Sequence, residues 1–105
     1  MDSTLTEANE GIEAASFTTD WLRLRFGRVT QLRPAGSDRV WHVHRPEPRP
    51  SFELRVGKDA LEAGQDQLIL LLETVADHAV NRAPPAPRYY YLSCAGVRVR
   101  GSGAT

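Results

Sequence analysis

The stretch QLILLLETVADHAV, residues 67–80, decides the fold that this sequence predicts. Apolar residues recur in it every three to four positions, which is the period of an α-helix with one buried side. Asp66 is placed to cap the first turn, and a helix from 66 to 81 would be about 24 Å long. We therefore expect one long amphipathic helix that packs on a sheet. Its central stripe is Leu61, Leu68, Leu71, Leu72, Val75 and Ala79, widened by Ile69, Ala76 and Val80.

On both sides of this helix the chain alternates between apolar and polar residues, which is the period of a half-buried β-strand. A turn at PAGSD, residues 34–38, predicts that the two strands beside it form a hairpin. Gly27 is interpreted as a bulge in the first of them. The predicted strands are DWLRLRFGRVTQLR (20–33), RVWHVH (39–44), SFELRV (51–56), RYYYLSC (88–94) and a short VRVR (97–100).

The order of elements is therefore (α)-β-β-β-α-β-(β), which predicts an α+β fold. We expect a small, mostly antiparallel sheet with the long helix on one face. At 105 residues the chain corresponds to one domain. We place that domain at 20–101, after an acidic tail or short helix at 1–19 and before a disordered end at 102–105. Thr4 and Glu7 have the spacing of a capping box for the short helix.

The order α-β-β-β-α resembles that of double-stranded RNA-binding domains. With the extra strands it is also similar to that of small dimeric secretion chaperones. The first family carries a basic signature at the start of its second helix. That signature is absent here, where the sequence is GKDALEAG, residues 57–64. No residue role is carried over from either family.

Thirteen basic and thirteen acidic residues give a net charge of zero, but the charges are segmented. The excess is −4 over residues 1–19, +4 over 20–57, −4 over 58–81 and +4 over 82–105. Twelve of the thirteen bases are arginine. Arginine suits the recognition of carboxylates and phosphates, whereas a GC-rich genome would also favour arginine codons. Both explanations of the bias stay open.

The sequence predicts a cytoplasmic protein without a membrane span. No stretch approaches the roughly 18 apolar residues that a span needs, and the N-terminus lacks the basic and apolar regions of a secretory signal. Cys94 is the single cysteine, which fits a reducing compartment. Cys94 shares its parity with Tyr90 and Leu92, so we expect its thiol in the core. No catalytic motif or cofactor-binding motif is present, and we expect neither enzymatic activity nor a cofactor.

The parity of RVWHVH assigns Trp41 and Val43 to the core and turns His42 and His44 to the other face of the sheet. Two imidazoles two residues apart on a strand are possible metal ligands, although a metal site needs at least a third ligand. The sequence leaves metal binding through His42 and His44 as one alternative.

Parity also predicts an arginine-rich and aromatic outer sheet face. Arginines interleaved with aromatic residues can hold phosphates and stack bases, so binding of single-stranded RNA or DNA is a second alternative. The same residue types are enriched at protein interfaces. The predicted face holds Trp21, Arg23, Arg25, His42, His44, Arg55, Tyr89 and Tyr91, with Arg98 and Arg100 if the last strand pairs in register.

We rank a non-enzymatic protein-interaction or adaptor module first. The long helix is apolar over more of its circumference than one side of a small sheet needs, which indicates a second covering surface. The N-terminal helix, or a second copy of the chain in a two-fold dimer, would provide that surface. The expected partners are therefore the chain itself and an unidentified protein. The helix residues assigned to the core or to the dimer are Leu68, Ile69, Leu70, Leu72 and Val75.

Overall fold

The computed structural model describes residues 3–46, 49–81 and 88–100, with side chains described between residues 13 and 99 of these ranges. The chain has an α+β fold in which a five-stranded sheet is packed against helices, as the sequence predicts. The elements are α1 (Ser3–Phe26), β1 (Arg28–Gln31), β2 (Arg39–His44), β3 (Phe52–Val56), α2 (Lys58–Leu61), α3 (Gln65–Asn81), β4 (Tyr89–Ser93) and β5 (Gly96–Arg100).

The strands lie in the sheet in chain order, β1-β2-β3-β4-β5. Neighbours are antiparallel except β3 and β4, which are parallel. A parallel pair needs a crossover between its strands, and α2 and α3 occupy that connection. The predicted central stripe is buried, with Leu61 on α2 and its other residues on α3. It forms one core cluster with residues of α1 and the sheet.

Trp41 lies near the middle of β2 and joins the sheet to α1. Its side chain is fully buried. The indole Nε1 donates a hydrogen bond of 2.8 Å to Thr19 Oγ1 on α1, and the Thr19 hydroxyl donates in turn to the Ala15 carbonyl at 3.0 Å. A buried indole N–H needs an acceptor, so this pair fixes which face of the sheet α1 covers.

A line of aromatic rings joins both long helices to the same face. Phe26 at the end of α1 packs edge-on against Phe52 at 5.4 Å, and Phe52 packs against Tyr90 at 5.2 Å. His78 of α3 completes the line, with a hydrogen bond of 2.8 Å between its Nδ1 and the Tyr90 hydroxyl. Edge-to-face rings at these distances stabilise a core beyond the area that they bury.

The strand predicted for residues 20–26 is wrong, because these residues continue α1. Leu22 is buried, whereas Leu24, expected beside it, is 91% exposed. Leu22 and Phe26 are four residues apart, so the core-facing pattern also fits a helix. Gly27 is not a bulge: its φ of 92° and the bond from its N–H to the Arg23 carbonyl end the helix.

Several sequence predictions concern residues outside the described ranges, and one predicted boundary lies inside a helix. The boundary placed between residues 19 and 20 lies within α1. The described groups do not include the side chains of Thr4 and Glu7 or the C-terminal end at 102–105. None of the helices in the described ranges has the length and apolar content that crossing a bilayer requires.

We predict that Thr19→Val lowers the free energy of unfolding by about 1–3 kcal/mol, because it leaves the buried Trp41 N–H without its acceptor. Urea unfolding followed by tryptophan fluorescence measures the change. Thr74→Val is the matched control, since Thr74 makes the same bond to the carbonyl four residues earlier but is exposed. Equal destabilisation of the two variants would contradict this role for Trp41.

Candidate binding face of the sheet

One face of the sheet points away from the helices, and we call it the outer face. The opposite, inner face carries the buried residues Trp41, Leu54 and Tyr90 that join the core cluster. Outer-face side chains are half-buried or exposed, apart from the buried Val40. By register the outer face consists of Arg28, Thr30, Val40, His42, His44, Glu53, Arg55, Tyr89, Tyr91, Ser93, Arg98 and Arg100, the last without a described side chain.

The register arranges most of these residues in two rows that run across the strands. The histidine row is Thr30, His42, Glu53 and Tyr89, with Arg100 opposite Tyr89. The arginine row is Val40, Arg55, Tyr91 and Arg98. The rows are two residues apart on each strand, so both point to the same side.

Two adjoining hollows lie over these rows. The larger, of about 540 Å³, is lined by side chains of both rows, including Arg55 and Arg98, and by Asp38 from the β1–β2 connection. The second, of about 310 Å³, is lined by His42, by Arg88 and by residues of the segment that leads into β3. Glu53 and Tyr89 line both hollows. Tyr89 is 47% exposed.

Arg55 is held in place by its neighbours. Its Nε donates to Asp38 Oδ2 at 2.7 Å, and the two side chains are 48% and 16% exposed. Its guanidinium carbon lies 5.9 Å from the centre of the Tyr91 ring. An arginine has five N–H donors in one plane, so a bond through Nε leaves most of them for a ligand.

Gly57 leaves the space that the Tyr91 hydroxyl occupies. A Cβ at residue 57 would lie 2.8 Å from the Tyr91 hydroxyl oxygen, 2.9 Å from Asp59 Oδ1 and 3.2 Å from the Leu92 carbonyl oxygen. Glycine is therefore required here for close approach and not for its backbone angles, which are extended, with φ −69°. The sequence alone gave no sign of this contact.

The two histidines on β2 are in contact, with ring centroids 4.5 Å apart. Thr30 Oγ1 lies 3.2 Å from His44 Nε2. Burial, then the neighbouring charges of His42 and Arg28, holds the pKa of His44 below its usual value, so this imidazole is mainly neutral at pH 7. The described residues contain no group of three His, Cys, Asp or Glu side chains that could hold a metal ion. Metal binding by His42 and His44 thus lacks a third protein ligand within these ranges.

Three of the residues predicted for the outer face lie elsewhere. Trp21, Arg23 and Arg25 are on α1, because residues 20–26 are helical. Arg25 lies over the Trp21 ring at 5.4 Å, and its Nη2 is 4.0 Å from Asp77 Oδ1 of α3. Of the predicted set, the structure keeps His42, His44, Arg55, Tyr89 and Tyr91 on the face. The last strand pairs in register, so the predicted Arg98 and Arg100 join them.

The prediction that the Cys94 thiol lies in the core is wrong, because Cys94 is exposed. It lies in the β4–β5 turn, past the last residue of β4, so strand parity no longer applies. Its N–H donates to Asp59 Oδ2 at 3.0 Å, and its thiol donates to the Asp59 carbonyl at 3.3 Å. Loss of solvent contact, and then the charge of Asp59, raises the pKa of the thiol. An activated nucleophile needs the opposite shift.

The helix residues assigned to the core or to a dimer divide into two groups. Leu68, Leu72 and Val75 are buried against the sheet. Ile69 is half-buried, and Leu70 is 60% exposed on the far side of α3.

Comparison of the chain with known protein families, with curated proteins and with solved structures finds no match. The function is therefore argued from the geometry of the outer face.

We predict that Gly57→Ala lowers the free energy of unfolding by about 1–3 kcal/mol, because the new methyl group overpacks this site. Urea unfolding gives the energy, and near-ultraviolet circular dichroism reports the displaced tyrosine. Adding Tyr91→Phe to Gly57→Ala removes one of the close contacts and should restore part of the loss. No recovery in the double variant would show that the Tyr91 hydroxyl is not held there.

Proposed function

We propose that this chain is a non-enzymatic protein-binding module and that the outer face of its sheet receives the partner. The observation that carries the proposal is the one-sided packing of the sheet. The helices bury the inner face, while the outer face keeps Tyr89, Arg55 and Arg98 accessible around a hollow of about 540 Å³. Tyrosine and arginine are, with tryptophan, enriched among the residues that dominate binding energy at protein interfaces.

A protein partner fits this face better than single-stranded nucleic acid does. The face receives neither stacking nor charge from Trp21, Arg23 and Arg25, because these residues lie on α1. Glu53 stands in the middle of the histidine row, and Asp38 already takes part of the charge of Arg55. The face thus has an excess of arginines that is interrupted by carboxylates, whereas a nucleic-acid site usually presents a continuous basic surface. The cytoplasm remains the proposed location.

Site-specific photocrosslinking tests the proposal. We expect that p-benzoylphenylalanine at Tyr89, in the cells that express the protein, forms an adduct with another protein. The same group at Leu24 is the control, since that side chain is exposed but lies on α1, away from the outer face. Adducts at residue 24 alone would contradict the proposed face, as would adducts at residue 89 that disappear after nuclease treatment.

Self-association is a second part of the proposal and uses a different surface. The outer faces of two copies would bring arginines together, so face-to-face packing is disfavoured. On α3, Leu70 and Val80 are 60% and 58% exposed and offer the apolar groups that a second copy would cover. Such a dimer would present two outer faces to partners.

We predict a dimer whose dissociation constant rises in Leu70→Glu and Val80→Glu, since each places a charge in an apolar contact. Light scattering coupled to size exclusion measures the mass over a concentration series. Leu24→Glu on α1 is the control and should leave the mass unchanged. A wild-type protein that stays monomeric at its highest soluble concentration would remove the dimer from the account.

A further inference from the structure

The fold separates charge between its two kinds of element. Counted along the chain, the three helices hold eight acidic and three basic residues, whereas the five strands hold five arginines and one glutamate. The segmentation of the sequence thus becomes an acidic helical layer and a basic sheet. By register, four of the five strand arginines are on the outer face. A surface of this sign attracts an acidic partner.

We propose that the outer face binds an extended, acidic segment of the partner protein, an inference that rests on the proposed function. A carboxylate of that segment docks on the arginine row. Arg55 and Arg98 flank Tyr91 on neighbouring strands, and all three line the larger hollow. Neighbouring strands are about 4.8 Å apart, so two arginine side chains on either side of one tyrosine can reach the same anionic group.

Asp38 positions Arg55 for this contact. It is the less exposed member of the pair and is anchored in the β1–β2 connection by two backbone bonds with Ala35. Arg55 donates to Asp38 through Nε. Its two terminal nitrogens therefore stay available for bidentate binding of a carboxylate. Arg98 is exposed, and no carboxylate within the described ranges pairs with it.

The two rows select the spacing of the ligand. Alternate side chains of an extended segment point the same way and are about 7 Å apart, which is also the separation of the rows along each strand. If the segment lies along the strands, the side chain of its residue i contacts the arginine row. The side chain of its residue i+2 then contacts the histidine row. Glu53 repels an acid at that second position and accepts a hydroxyl or an amine. Single-stranded nucleic acid carries a phosphate at every nucleotide, so it would set a charge against Glu53.

The experiment is a titration of the isotopically labelled full chain, followed by nuclear magnetic resonance, with short peptides. A peptide that repeats Glu-Ser-Tyr-Ser should shift the resonances of β3, β4 and β5 and bind more tightly than one that repeats Gln-Ser-Tyr-Ser. Arg98→Gln and Arg55→Gln should each weaken binding by about fivefold. Arg23→Gln is the control, because Arg23 is an exposed arginine of α1, and it should change nothing.

Glu53→Gln gives a test in the opposite direction. The wild type should bind a peptide that repeats Glu-Ser-Glu-Ser less well than the Glu-Ser-Tyr-Ser peptide, and Glu53→Gln should remove the difference.

Three results would overturn the inference. Equal binding of the Glu and Gln peptides at the outer face refutes acidic selection and leaves the proposed function standing. If the Glu peptide does not bind, a carboxylate does not dock on the arginine row. The same conclusion holds if Arg23→Gln weakens its binding as much as Arg98→Gln does. The proposed function is refuted as well if oligodeoxythymidylate binds more tightly than the Glu peptide and the Arg98→Gln variant loses that binding.

Discussion

The hydrogen bond between Trp41 and Thr19 is the constraint on which the arrangement of the molecule depends. A fully buried indole N–H must find an acceptor, and the acceptor is on α1. That contact places α1 on the inner face, where the aromatic line through Phe26, Phe52 and Tyr90 also brings in α3. Because both long helices are on one side, most side chains on the other side of the sheet stay at least partly accessible to solvent.

This one-sided packing also explains why the charges matter. A neutral chain has no net field to attract a partner, but here the acidic residues are concentrated in helices and the arginines in strands. Arginine on a pleated surface covers it with its stem and keeps its guanidinium accessible. The pairing of Arg55 with Asp38 then gives one of these guanidinium groups a defined direction. The outer face is therefore both chemically suited and geometrically prepared for an anionic group.

The sequence predicts the fold class, α3 and the parity of β2, β3 and β4. Apolar residues recur at the helical period in α3 and at alternate positions in β3, whereas in β4 the parity is set by Leu92, which follows three consecutive tyrosines. The prediction fails at residues 20–26, where Leu22 and Phe26 satisfy the period of a helix as well as that of a strand; packing decides for the helix and exposes Leu24. Cys94 was misplaced because a turn ends the alternation. The Arg55–Asp38 bond joins residues 17 positions apart, and the β2–β3 register that brings them together is set by tertiary packing.

Solvent paramagnetic relaxation tests the central claim, that the outer face is open, without altering the protein. A soluble gadolinium chelate enhances the relaxation of side chains that water reaches. We expect strong enhancement for the ring of Tyr89, an intermediate effect for the half-buried His42 and Tyr91, and protection of Trp41 and Tyr90. Protection of Tyr89 equal to that of Tyr90 would mean that something covers the outer face, and the account would then be wrong.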